Sequence, residues 1–144
     1  MFVLRLTEKL AGRIGQTPFK SAPTPKNPYT DWTLHCFQAD AREFVLAANT
    51  PSLYSFIVRG TNIVDPEALL VRTIATLQDF LEADGYERFY RDWVHVDMGR
   101  FVFSRTKDDR IVDSLNRMVN HIKTELNESE ISFFRVCRRV NDMH

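Results

Sequence analysis

No run of the chain approaches the ~20 consecutive apolar residues that a helix needs to cross a bilayer, so no membrane span is expected. Glycine is scarce, with five scattered among 144 residues. Neither a Gly-rich loop closing on Gly-Lys-Ser/Thr nor a G-x-G-x-x-G is present, which excludes the familiar phosphate cradles. The G-x-S-x-G of a nucleophile elbow is missing as well. Cysteine is scarcer still. Cys36 and Cys137 are too few for a disulfide scaffold and lack the spacing of a metal knuckle, so both read as buried free thiols, and neither a metal nor a cofactor is expected. Charge of one sign is also lacking. Nineteen basic residues balance nineteen acidic ones, so no whole-molecule field draws the chain onto nucleic acid or an anionic membrane.

What is there is the composition of a globular protein, with 44% apolar and 26% charged residues. A single domain over residues 1–144 with one core is expected. Arg5, Glu8 and Lys9 interrupt the apolar N-terminus too early for a signal peptide, and a cytoplasmic location is the expectation.

Phe2, Leu4 and Leu6 alternate with Val3, Arg5 and Thr7, which predicts a short strand with one apolar face. Thr7 is placed to cap a short helix carrying Leu10 and Ile14 and ending at Gly15. Four prolines, Pro18, Pro23, Pro25 and Pro28, mark residues 16–31 as a surface loop that reads as a mobile connector. Three strands then follow, near residues 32–38, 43–48 and 53–59. Their short connections permit hairpins and forbid parallel crossovers. Leu70, Ile74, Leu77 and Leu81 recur at helical spacing behind Asp65-Pro66. Tyr86, Phe89, Tyr90 and Trp93 predict a second, aromatic helix, read as core. A further strand is expected over 100–105. A long helix should then open on a Thr106/Asp109 capping box and carry an apolar face from Ile111 to Leu126. The segment 129–141 fits a helix or a strand. The fold class expected is α+β, an antiparallel sheet of about four to five strands with helices packed on one face.

Candidate chemistry is sparse. His35, His95 and Asp97 are the titratable groups from which a small acid–base or ligand site would be assembled. His35 and Cys36 are strand neighbours and point to opposite faces, which disfavours a shared metal. Arg100, Arg105 and Lys107 interleave with Phe101 and Phe103, a pattern that contacts phosphates and stacks bases if the rings face solvent. Buried rings between solvated cations is the simpler reading of the Arg100–Arg110 stretch. Asn49, Asn116 and Asn141 are polar positions in apolar surroundings, where turn and cap bonding is the ordinary explanation and a shared polar site the alternative.

The opening Leu-Arg-Leu-Thr-Glu-Lys-Leu, the Trp32 that starts the meander, Asn49 with a hydroxyl residue after it, Ser114-Leu115-Asn116 and Val140-Asn141 together span most of the chain. In these pieces it resembles small bacterial proteins grouped as a domain of unknown function. The resemblance implies a shared single-domain fold and carries no catalytic residue. The leading functional expectation is a non-enzymatic protein-interaction or regulatory module with a protein partner. It is motivated by 17 Phe, Trp and Tyr residues and by Phe19 and Tyr29 in the Pro-rich loop. An exposed aromatic patch would fit such a role.

Overall fold

A computed structural model describes residues 2–15, 22–39, 41–94, 101–106 and 108–127. Strand β1 (Phe2–Leu6) leads into helix α1 (Glu8–Arg13). A single 3-10 turn, Pro28–Thr30, precedes β2 (Asp31–Ala39), followed by β3 (Arg42–Asn49) and β4 (Ser55–Arg59). Then come α2 (Pro66–Ala83), the one-turn α3 (Glu87–Phe89) running into a π turn over Tyr90–Val94, β5 (Phe101–Arg105) and α4 (Asp109–Asn127).

The strands form one five-stranded sheet in the order β4-β3-β2-β1-β5. β2, β3 and β4 pair antiparallel, as the short turns require. β1, however, lies parallel to both β2 and β5, so the sheet is mixed and the purely antiparallel expectation is corrected. The chain from Thr7 to Thr30 includes α1 and is long enough for a crossover, which a hairpin turn is not.

Expecting helices on one face alone is corrected too. Register partners share a face, and neighbours along a strand alternate. Leu4, Trp32, Leu34, Ala47 and Phe56 therefore line one face, and Phe80 of α2 covers it by stacking on Phe56 at 6.2 Å. His35 and Leu46 belong to the other face, where Asn116 of α4 lies near enough to His35 to influence its ionisation. All five residues of β1 are buried, which only a sheet covered on both sides can achieve.

Local signals explain most of the elements. Asp65 caps α2 by accepting from the Ala68 amide at 2.8 Å, with Pro66 in the first turn. The buried stripe of α2 is Leu69, Thr73, Leu77, Phe80 and Leu81, with Leu70 and Ile74 half-buried at its margin. In α4 the core residues are Leu115, Met118, Val119 and Ile122. Its cap is Asp108, whose carboxylate accepts from the Arg110 amide at 2.8 Å, in place of the expected Thr106. Thr7 stands at the N-cap of α1 but makes no side-chain cap bond there, because its hydroxyl is engaged with His35. The segment 129–141 lies outside the described residues, as does Cys137. Cys36 is a buried free thiol. Among the described residues, no helix is long and apolar enough to cross a membrane.

Candidate functional site

The described part of the Pro-rich loop is fastened to the sheet by a residue that reads, in sequence, as a surface charge. Arg5 is fully buried in β1 and grips the buried carboxylate of Asp31 with two bonds, Nε to Oδ1 at 2.9 Å and Nη2 to Oδ2 at 3.1 Å. Its remaining donors reach the carbonyls of Ala22 and Pro23, at 2.9 and 3.3 Å, and the Ser104 hydroxyl at 3.3 Å. Thr50 donates to Asp31 at 2.8 Å and bonds Thr33 through the same hydroxyl. This network ties β1, β2, β5 and the loop together, so residues 22–30 are an anchored strap where a mobile connector was expected.

Asn49 serves the same strap. Its amide donates to the Pro28 and Asp31 carbonyls, and its oxygen accepts from the Ser52 amide and hydroxyl. All its bonding capacity is spent on backbone and turn. Asn116 sits elsewhere, on the exposed side of α4 against His35. Strand alternation puts Asn49 and His35 on opposite faces of the sheet, so Asn49 and Asn116 do not converge on one polar site. Asn141 lies outside the described residues.

His35 is brought together with Thr7, whose hydroxyl is 2.9 Å from Nδ1, while Asn116 bears on it only through its effect on the ionisation of the ring. Burial, then the Lys9 charge, push its pKa below the ordinary 6.5; Asn116 opposes them and Lys123 adds to them. The imidazole is therefore neutral near pH 7. His95 and Asp97, its expected partners, lie outside the described residues. Burial also raises the Cys36 thiol, with Lys9 and Arg13 pulling the other way, and leaves it protonated. Among the described residues no cluster of three or more His, Cys, Asp or Glu has metal-holding geometry.

In the basic stretch, Arg105 is exposed at the end of β5, while Arg100 and Lys107 lie outside the described residues. Phe101 packs on Phe2 at 5.6 Å and Phe103 packs against the core. Both rings are half-buried, so each offers only part of its surface for stacking.

A different set of rings reaches the surface. Tyr29 meets Phe89 edge-on at 4.6 Å, and Tyr86 lies 6.3 Å from Phe89. Tyr29 is 38% exposed and Tyr86 48%, with Phe89 half-buried between them. The scaffold holds this cluster in place from below. The Tyr29 amide donates to the Asn27 side chain at 3.0 Å, and the Tyr29 carbonyl accepts from the buried Trp32 indole at 2.8 Å. The Tyr86 amide bonds the Leu81 carbonyl at 2.7 Å, closing the end of α2. The spacing of Tyr86, Phe89, Tyr90 and Trp93 reads as one core stripe, yet of the first three only Tyr90 is buried, and the Trp93 side chain lies outside the described ones. The helix is too short to keep its face inward, and this is why the sequence signal misplaces Tyr86. Phe19, the other loop aromatic, lies outside the described residues.

A family model for a domain of unknown function, DUF6933, matches residues 3–144. The chain belongs to that family. The match runs from β1 to the C-terminal residue, so the strap, the aromatic cluster and the His35 contacts all fall within the family's domain. No curated protein and no solved structure matches it.

Proposed function

We propose that this domain is a non-enzymatic protein-interaction or regulatory module of the cytoplasm, and that a protein partner seats on the Tyr29–Phe89–Tyr86 cluster. The observation that carries this reading is a set of touching, solvent-reaching rings whose backbone is pinned by the core. Tyrosine presents a large contact area with few rotatable bonds, so a fixed tyrosine pair loses little entropy on binding. Exposed Arg88 and Arg91 beside the rings add the other residue type that dominates interface energetics.

The test is a pull-down with the tagged chain at low and moderate salt, comparing wild type with the double substitution Tyr29→Ser/Tyr86→Ser. A stoichiometric protein captured by wild type at both salts and lost by the variant is the expected result, with circular dichroism showing the variant folded. A partner retained by the folded variant would overturn the assignment of the surface.

A second reading, a small enzyme centred on His35, is favoured by one observation: a half-buried imidazole whose Nδ1 is 2.9 Å from the Thr7 hydroxyl. Thr7 is only 4% exposed, which leaves a substrate little access to its hydroxyl. If His35 is a general base, His35→Asn abolishes turnover of a substrate found by screening without changing its binding.

A further inference from the structure

Towards the opposite end of β2 from Tyr29, about six residues or roughly 20 Å along the strand from Asp31, α1 and the β2–β3 hairpin flank a cleft of about 310 Å³. Lys9, Arg13, Cys36, Phe37, Gln38 and Glu43 line it. We infer that this cleft binds a small organic carboxylate, with the anionic end on Lys9 and Arg13 and its body against the β2 strand at Cys36 and Phe37. The volume is at the lower end of ligand-sized pockets, which run from roughly 300 to 1,000 Å³.

Charge selects the class of ligand. Lys9 and Arg13 are four apart on α1 and so project from one side of it. Arg13 Nη2 is paired with Glu43 and also bonds the Gly60 carbonyl at 3.1 Å, which fixes the guanidinium in the cleft wall. Among the described residues Lys9 has no carboxylate within ion-pair distance. Two cations and one anion leave the lining with a single net positive charge. A monoanion neutralises that charge, whereas a dianion reverses it. The same excess acts on the neighbouring groups, since Lys9 disfavours protonation of His35 and, with Arg13, favours the Cys36 thiolate. The floor of the cleft is the buried β2 strand at Cys36 and Phe37, where burial keeps the Cys36 thiol protonated. The Gln38 amide supplies a neutral donor beside the cations.

The experiment is a ¹⁵N-resolved NMR titration of the full chain with benzoate, with acetate and inorganic phosphate as comparisons and chloride at matched ionic strength as the blank. Saturable shifts centred on the amides of Lys9, Cys36 and Gln38 are expected with benzoate, and weaker binding with acetate. Lys9→Gln, an exposed substitution that leaves the core intact, should weaken benzoate about tenfold or more, as the loss of a charge-assisted hydrogen bond does. Arg110→Gln, on α4 and outside the cleft, should leave the affinity unchanged. Shifts that chloride reproduces, shifts that never saturate, or full affinity in Lys9→Gln would overturn the site. Phosphate binding more tightly than benzoate would overturn the carboxylate assignment.

Discussion

Replacing Arg5 by alanine would strand the Asp31 carboxylate at 1% exposure with only the Thr50 hydroxyl still donating to it. Breaking one half of a buried ion pair costs about 3–5 kcal/mol, because the surviving charge stays desolvated. Urea denaturation of Arg5→Ala should show a loss of that order. The double variant Arg5→Met/Asp31→Leu should recover only part of it, since it removes both charges but leaves the Ala22 and Pro23 carbonyls without the Arg5 donors. Thr73 is the reverse case. Its hydroxyl is buried on the inner face of α2 and has no hydrogen-bond partner among the described residues. Thr73→Val keeps the shape and removes an unsatisfied group, so it should raise stability by about 1 kcal/mol. An unchanged or lower denaturation midpoint would mean that the hydroxyl is satisfied.

The start of α1 meets β2 through the Thr7–His35 contact, which makes that contact sensitive to pH. The folded state holds the imidazole below 6.5, so the unfolded chain binds the extra proton more readily. The stability this group contributes is present above pH 6.5 and is lost as pH falls from there through the lowered folded value. Thermal unfolding followed from pH 8 to pH 5 should show that decline, and His35→Gln should flatten it. An unaltered slope in the variant would assign the decline to other groups. The charges that oppose protonation come from both helices packed there, Lys9 of α1 and Lys123 of α4.

For the whole molecule, nineteen positive and nineteen negative side chains place the isoelectric point near 6.9. With little net repulsion between copies, solubility should pass through a minimum close to pH 7 and rise on either side. Precipitation by polyethylene glycol across pH 5–9 measures this, and a monotonic curve would contradict it. Periodicity alone determined much at this scale. The β2–β3–β4 meander follows from short turns, α2 and α4 from apolar spacing, and the α2 start from Asp65-Pro66, all signals confined to a few neighbouring residues. The sequence also contained the pieces of the family match and the aromatic load. Only the tertiary structure decided that β1 and β5 are parallel neighbours, that helices cover both faces, and that Arg5 is buried. The partners of Arg5 lie 26 residues away at Asp31 and 99 away at Ser104, distances over which no local pattern carries information. It likewise decided which tyrosines reach solvent, because Tyr29 and Phe89 come from separate elements and meet only when the strap is clamped to the sheet.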